Sequence, residues 1–210
     1  MIKNYEELSE MHIDVLREIG NIGAGNAATA LATILDEKVE ISLPVVKITD
    51  FDTAVRALGG AESMTVGVLV SFFGEANGMI MFLLKMEDAK KVMSILLRDY
   101  EEENEEDAEE ISEMKLSAIR EIGNILGSSY INSIATLTGL KINLTVPYIA
   151  IDMAGALMSV PIIEFGAVGD KIMFIEEVFS GSENNLRSNV IMFAQIDTLK
   201  LIMERLGLEI

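Results

Sequence analysis

The chain has 210 residues, of which 34 are acidic and 16 are basic, and its formal net charge at pH 7 is −18. This charge excludes non-specific nucleic-acid binding, which requires Lys and Arg to neutralise phosphates, and it argues against contact with anionic membranes. The chain has no Cys and a single histidine, His12, so thiolate zinc sites, Cys nucleophiles and multi-His metal sites are excluded.

The first half of the chain predicts a run of strands between two helices. A long helix is predicted from about Tyr5 to Leu35, and Asn4 with Glu7 would form a capping box at its start. A second helix is predicted at Glu87–Arg98. Between them, β-rich runs predict strands at Val39–Leu43, Val45–Phe51, Met64–Phe73 and Gly78–Leu84.

An acidic segment separates the two halves. Eight of the ten residues in Glu101–Glu110 are Asp or Glu. Like charges at this density repel one another and hold a chain in water, so residues 99–111 are predicted to be a solvated linker. The alternative is a docking segment for a basic partner.

The second half repeats the plan of the first. A long helix is predicted from about Ser112 to Thr138, and a closing helix at Asp197–Leu206. The β-rich runs between them predict strands at Lys141–Val146, Tyr148–Met153, Lys171–Val178 and Asn189–Gln195.

No targeting or membrane signal is evident. Residues Met1–Tyr5 lead into acidic residues and not into an apolar signal core. The most lipid-like stretch, Leu144–Ile163, is interrupted by two prolines and by one charge, Asp152, and its β-branched start predicts buried strand and loop. We therefore expect a cytoplasmic protein that does not contact a membrane.

An internal repeat explains the similarity of the halves. Residues 15–44 match residues 118–147 at a constant offset of 103, and Ile80–Phe82 match Ile191–Phe193 at an offset of 111. We interpret residues 1–210 as one pseudo-two-fold domain of two repeats, about 1–98 and 112–210. Helices that bracket runs of strands predict an α+β fold with a largely antiparallel sheet flanked by long helices. Because the duplication already supplies two-fold symmetry, we expect a monomer.

Each long helix carries a polar stripe. Asp14, Glu18 and Asn21 stand at i, i+4 and i+7, which places them within some 60° of one another on one helix face. The second copy places Ser117, Glu121 and Asn124 at the same spacing. The apolar residues of both helices fall on the other side and are expected to face the core.

Three features distinguish these stripes from an ordinary solvated helix face. Asn and Gly are poor residues for a helix interior. Glycines cluster beside both stripes, and they are expected to let another backbone or a partner approach closely. Finally, Glu and Asn are identical in the two copies whereas core residues have exchanged, although a solvent face is expected to drift after duplication.

Glu and Asn can perform only part of a reaction. A carboxylate can bind a cationic group, and a carboxamide can orient a water without deprotonating it. Phosphoryl transfer rewards such positioning because its transition state is loose and in-line. A partner would then supply the phosphoryl group, the metal and the activating cation.

The motifs Asp14-VLR-Glu18-IG-Asn21 and Ser117-AIR-Glu121-IG-Asn124 resemble those of the CheC family of chemotaxis phosphatases. The resemblance covers nearly the whole chain, including the duplication. It implies hydrolysis of the aspartyl-phosphate of the response regulator CheY, whose own acidic pocket holds Mg²⁺. No cofactor would be bound by this chain.

The resemblance also implies roles for single residues. Glu18 and Glu121 would each pair with the active-site Lys of the regulator, and Asn21 and Asn124 would each position the attacking water. Asp14 and Ser117 would support them. These assignments are carried over from the family and do not follow from the spacing alone.

A second partner is implied by the same resemblance. Many members bind the receptor-modifying deamidase CheD, and Asp152 is a possible contact for it; a capped turn is an equally good interpretation of Asp152. Two other functions stay open. One is a non-catalytic adaptor that binds CheD or a response regulator, and the other is a structural component of the flagellar switch.

Overall fold

The computed structural model of the protein describes residues 5–35, 40–42, 45–97, 112–165, 171–180 and 185–208. The predicted linker 99–111 lies outside the described residues, and so does Asn4 of the predicted capping box. Within the described ranges, no helix is both long enough and apolar enough to cross a bilayer.

The order of the described helices and strands is the same in the two halves of the chain. A 3₁₀ turn at Tyr5–Glu7 precedes six helices and eight strands. The helices are α1 (Glu10–Leu35), α2 (Phe51–Ala57), α3 (Met86–Leu97), α4 (Glu113–Thr138), α5 (Ala154–Phe165) and α6 (Ile196–Arg205). The strands are β1 (Glu40–Ile41), β2 (Val45–Asp50), β3 (Met64–Gly74), β4 (Gly78–Lys85), β5 (Ile142–Leu144), β6 (Tyr148–Met153), β7 (Lys171–Ser180) and β8 (Asn185–Ala194).

The described strands form one antiparallel sheet. Its order is β1-β7-β8-β4-β3-β5, with β2 also paired to β7 and β6 also paired to β3. Strand β4 lies near the centre and is covered on both faces, which explains why its sequence is a nearly continuous apolar run. The α+β fold with an antiparallel sheet, predicted from the sequence, is confirmed.

The pairing of β4 with β8 shows where the internal two-fold axis lies. In the β4–β8 ladder, Ile80 pairs with Met192, and Met81 pairs with Ile191. Applying the repeat offset of 111 to the first pair gives the second pair, since 80 + 111 = 191 and 192 − 111 = 81. The axis therefore passes between these two pairs, and the duplication predicted from the sequence is visible in the sheet itself.

Two apolar layers cover the sheet. Alternate side chains point to opposite faces, so Ile80 and Phe82 join one buried cluster while Met81 and Leu83 join the other. The first cluster packs against α1, α3, α4 and α6, and the second packs against α2 and α5. The two long helices thus share one face of the sheet.

The first long helix begins later than predicted. Helix α1 starts at Glu10 and not near Tyr5. Ser9 and His12 explain the start, because the Ser9 hydroxyl accepts from the His12 amide at 3.4 Å and His12 Nδ1 accepts from the Ser9 amide at 3.1 Å. This reciprocal pair is a capping box built with histidine instead of Glu. It explains why the single histidine is buried.

Helices α2 and α5 were not predicted. The segment Leu144–Ile163 was interpreted as strand and loop, but only β5 and β6 are strands and helix α5 begins at Ala154. Nearly uniform apolar character hides the helical period, and the internal Pro161 argues against a helix. Packing overrides this local preference, since Ala154, Leu157 and Met158 are buried in the second cluster at helical spacing.

Tyr5 ties the start of the chain to the sheet. Its buried hydroxyl donates to the Ala194 carbonyl at 2.9 Å and accepts from the Ala194 amide at 3.1 Å. Burial raises the pKa of Tyr5 to about 12, although the hydrogen bond from the Ala194 amide to the phenol oxygen opposes this effect. The neutral phenol is therefore the form that the fold requires.

We expect Tyr5→Phe to change the alkaline stability of the protein. An unfolded tyrosine ionises near pH 10, so the neutral-phenol contribution is complete below about pH 10 and is lost as the pH rises towards 12. The wild type should lose about 2 kcal/mol more than the variant between pH 8 and pH 11.5. Urea unfolding at pH 8 and at pH 11.5 measures the difference; parallel losses in the two proteins would show that Tyr5 is not responsible.

Candidate functional site

The first polar stripe lies on the outer face of α1. Leu16 and Ile19 point into the core, whereas Asp14 and Glu18 are exposed and Asn21 is half-buried. The helix period therefore places the three predicted residues opposite the sheet, as expected for a surface that meets a partner.

Side-chain contacts hold the first stripe in place. Asp14 forms an ion pair with Arg17. The Asn21 amide Nδ2 donates to Glu18 Oε2 at 3.4 Å, so the predicted Glu and Asn are direct neighbours. The other amide atom, Asn21 Oδ1, is buried and has no hydrogen-bond partner within the described part of the chain. An unpaired buried acceptor is costly, and a turn of the Asn21 carboxamide would be needed for this oxygen to reach a bound molecule.

The second stripe occupies the same place on α4. Ser117, Glu121 and Asn124 are all exposed, and no counterpart of the Asn21–Glu18 hydrogen bond joins Asn124 to Glu121 among the residues described. An open depression of ≈ 470 Å³ lies at this stripe. It is lined by Leu97, Met114, Ser117, Ala118, Arg120 and Glu121.

The two stripes differ in the partner of their arginine. Arg17 is paired with Asp14, but the equivalent of Asp14 is Ser117, which carries no charge. Arg120 therefore has no carboxylate partner in the described ranges and lines the depression beside Glu121. The sequence contains this signal, because Arg precedes Glu in both motifs, but neither arginine was predicted as a site residue.

Most glycines beside the stripes allow close packing within the protein. A Cβ on Gly123 would lie 2.2 Å from Val68 Cγ1 on β3, and one on Gly20 would lie 3.3 Å from Val46 Cγ2 on β2. Among the glycines beside the stripes, Gly25 alone is exposed with nothing near the position of its Cβ. The expectation named another backbone or a partner, and for most of these glycines it is another element of the same fold that approaches.

Close packing also joins the two long helices to each other. A Cβ on Gly23 of α1 would lie 2.7 Å from Cδ1 of Tyr130, which is buried on α4. Nearby, Asn26 Nδ2 donates to Ser133 Oγ at 3.2 Å. These contacts fix the two stripes relative to each other across the internal axis.

Asp152 lies far along the chain from both stripes, at the end of β6. It is exposed, and its Oδ1 accepts from the Met153 amide at 2.7 Å, one residue before α5 begins. The hydrogen bond supports the capped-turn interpretation, while the exposure leaves the carboxylate accessible to a partner.

The stripes offer hydrogen bonds and charge, and they do not form a metal-binding cluster. Within the described ranges, no three His, Asp or Glu side chains are placed to hold a metal ion together. Each stripe presents one carboxylate next to one carboxamide on a rigid helix. This arrangement can bind a cation and orient a small polar molecule at the same time.

Comparison with known proteins gives the same division of the chain. The model of the CheC-like family matches residues 11–48 and 114–151. The two matched segments are 103 residues apart, which is the offset of the internal repeat, and each contains one polar stripe. The fold and the stripes thus define a class of internally duplicated α+β proteins with one matched segment in each half.

Individual relatives extend the match to the whole chain. The CheY-P phosphatase CheC of Bacillus subtilis (strain 168) is 30% identical over 205 residues, which are 97% of each chain. The flagellar motor switch phosphatase FliY of the same organism is 28% identical over 146 residues, which are 70% of this chain and 37% of that protein. The chain belongs to the CheC-like family.

Solved structures confirm the fold independently. The crystal structure of Thermotoga maritima FliY superposes with a TM-score of 0.73 and covers 96% of this chain and 98% of that one. Its sequence identity is 23%, so this likeness concerns the fold alone.

We expect one substitution to have opposite effects at two glycines. In Gly123→Ala the new methyl group meets the buried, β-branched Val68, so unfolding free energy should fall by about 1–3 kcal/mol. In Gly25→Ala the methyl group enters open space within a helix, so stability should rise by up to about 1 kcal/mol. Urea midpoints of both variants test this, and shifts of the same sign would contradict the packing described above.

Proposed function

We propose that the protein hydrolyses the aspartyl-phosphate of a CheY-type response regulator and that both stripes are active sites. The observation that carries the proposal is the repeated Glu and Asn pair on equivalent outer faces of α1 and α4. The extended similarity to a CheY-P phosphatase supports it, because that relative is matched over nearly its full length.

The carboxylates would hold the regulator. Glu18 and Glu121 are exposed and can each accept a charge-assisted hydrogen bond from the active-site Lys of the regulator. This contact fixes the orientation of the aspartyl-phosphate next to the helix. It also requires little rearrangement, because each carboxylate projects from a long helix packed on the sheet.

The carboxamides would position the nucleophile. Asn124 is exposed and can accept one hydrogen bond from a water and donate to a neighbouring oxygen, which would place the water in line with the phosphorus. Asn21 would do the same once its carboxamide turns to bring the buried Oδ1 to the surface. The water oxygen bonds to phosphorus while the bond from phosphorus to the Asp oxygen breaks. The products are the free Asp carboxylate and inorganic phosphate, which keeps both water protons, so no side chain here has to remove a proton.

The regulator would supply what the stripes lack. Its acidic pocket would hold Mg²⁺, which offsets charge on the phosphoryl group, and its Lys would complete the site. The residues of this chain would contribute orientation only. His12, the single histidine, is buried in the capping box of α1, which suits a structural role.

Paired substitutions test the two sites. We expect Glu18→Ala/Asn21→Ala and Glu121→Ala/Asn124→Ala each to retain part of the acceleration of phosphate release. The combined fourfold variant should lose about 10²-fold or more, because misplacing a reacting group costs on that order. Release of inorganic phosphate from the phosphorylated regulator is the measurement.

Glu62→Ala/Asn77→Ala is the matched control for this test. It removes one carboxylate and one amide from exposed positions that are on neither stripe, and it should hydrolyse at the wild-type rate. Thermal melting of each variant is the check that it is folded. If the fourfold variant releases phosphate as fast as the wild type, the enzymatic proposal is wrong and a non-catalytic adaptor that binds CheD or a regulator becomes the better function.

We infer that Asp152 contributes to a separate contact with CheD. The residue lies at the end of β6 and belongs to neither helix stripe, and its carboxylate is exposed although Oδ1 accepts from the Met153 amide. A carboxylate in an otherwise apolar strand suits recognition by a basic residue of a partner. A site outside the stripes would also leave the regulator free to bind at the same time.

We expect Asp152→Lys to weaken CheD binding by at least 10-fold, since it replaces attraction by repulsion. Hydrolysis measured without CheD should not change. Titration calorimetry with CheD is the measurement, and Glu164→Lys, which reverses an exposed charge on α5, is the control. Equal affinities of the Asp152 variant and the wild type would leave Asp152 as a capping residue only. The monomeric state and the cytoplasmic location stay predictions.

A further inference from the structure

Exposed methionines precede both active stripes. The chain has 13 methionines, and most of those described are buried in the two clusters or pack against them. Met11 and Met114 are different, because they are 63% and 55% exposed and are the most exposed methionines of the described ranges. They are also equivalent in the repeat, since 114 − 11 = 103.

Both methionines lie on the stripe that carries the Glu and Asn pair. Met11 precedes Glu18 by seven residues, which is two helical turns, so the two side chains differ by only about 20° around the helix axis. Along the axis they are about 10 Å apart. Met114 has the same relation to Glu121. A protein bound over the Glu would therefore also cover the Met.

The depression on α4 joins these residues directly. Met114 and Glu121 line the same concave surface, together with apolar contributions from Leu97 and Ala118. A single exposed apolar side chain needs no explanation in general. Here, however, the same side chain recurs at equivalent positions, while the following residues His12 and Lys115 differ. The recurrence points to a constraint shared by the two sites.

We propose that Met11 and Met114 are apolar docking residues of the two sites, each packing against the surface of the response regulator beside its aspartyl-phosphate. The inference rests on the proposed function. Methionine suits this role because its unbranched thioether adapts to an irregular partner surface. Such a contact is made equally in the ground state and the transition state, so it sets KM and leaves kcat nearly unchanged.

The test compares three double variants in hydrolysis of the phosphorylated regulator over a range of concentrations. Met11→Ala/Met114→Ala should raise KM by about 5- to 20-fold, as expected for loss of a partly buried apolar contact, with kcat within about twofold. Met11→Leu/Met114→Leu keeps the apolar volume and should restore KM. Met64→Ala/Met153→Ala is the matched control.

The methionines of the control pair are also exposed, but they lie on strands and not on the long helices. Met64 and Met153 are 48% and 45% exposed and pair with each other across β3 and β6, so they belong to strands and to neither helix stripe. This variant should keep the wild-type KM. An unchanged KM in the Met11/Met114 alanine variant, or an equal rise in the control, would overturn the proposal while leaving the phosphatase function intact.

A binding measurement separates this proposal from the enzymatic one. Affinity for the regulator activated with beryllofluoride, which mimics the phosphoryl group, can be measured without any turnover. If the wild type binds this complex but does not hydrolyse the phosphorylated form, the enzymatic proposal fails. Weaker binding of the alanine variant than of the control then still supports docking, and equal binding overturns it. If the wild type does not bind the activated regulator, both proposals are wrong.

Discussion

The close approach of α1 and α4 to a single sheet is the constraint on which the other features depend. Gly123 lets α4 rest on the buried Val68, and Gly20 lets α1 rest on β2 and β7 at the equivalent place. Because the apolar face of each helix is fixed on the sheet, its polar face is fixed towards solvent, and the Glu and Asn of each motif are held there without a loop. The packing of the interior thus determines which way the Glu and Asn side chains of each stripe face.

The internal two-fold axis relates the two stripes, but their side-chain contacts are not identical. Asp14 neutralises Arg17 on the first stripe, whereas Ser117 leaves Arg120 beside Glu121 in the second depression. The Asn21 amide is half-buried and hydrogen-bonded to Glu18, while Asn124 is exposed. Since both helices pack on one sheet through equivalent glycines, these differences arise at the surface, where a substitution does not disturb the core. Duplication therefore allows the two sites to diverge in detail while each keeps its Glu and Asn.

Features with a strong local or repeated signal could be predicted from the sequence. The repeat at an offset of 103 gave the duplicated fold and both stripes, and Ser112 gave the start of α4, where its side chain accepts from the Lys115 amide. Helix α5 could not be predicted, because its uniform apolar sequence has no helical period and only the sheet beneath it decides its form. The start of α1 was missed because the hydrogen bond between Ser9 and His12 uses histidine where a capping box usually has Glu or Gln. The role of the glycines also depends on long-range packing, and sequence spacing does not contain that information.

The net charge of −18 restricts how this protein can bind its proposed partner. The negative field of the chain opposes the approach of an acidic pocket, so electrostatic steering by the whole chain would not favour the proposed encounter. Attraction must come from contacts shorter than the Debye length, which is about 8 Å at physiological salt. A Glu paired with the active-site Lys of the regulator would provide one such contact, and an exposed methionine on the same stripe would provide another that does not depend on charge. The proposed docking residue and the proposed Glu and Asn would then lie within about three turns of one helix. A stripe of so few residues could therefore be sufficient for function.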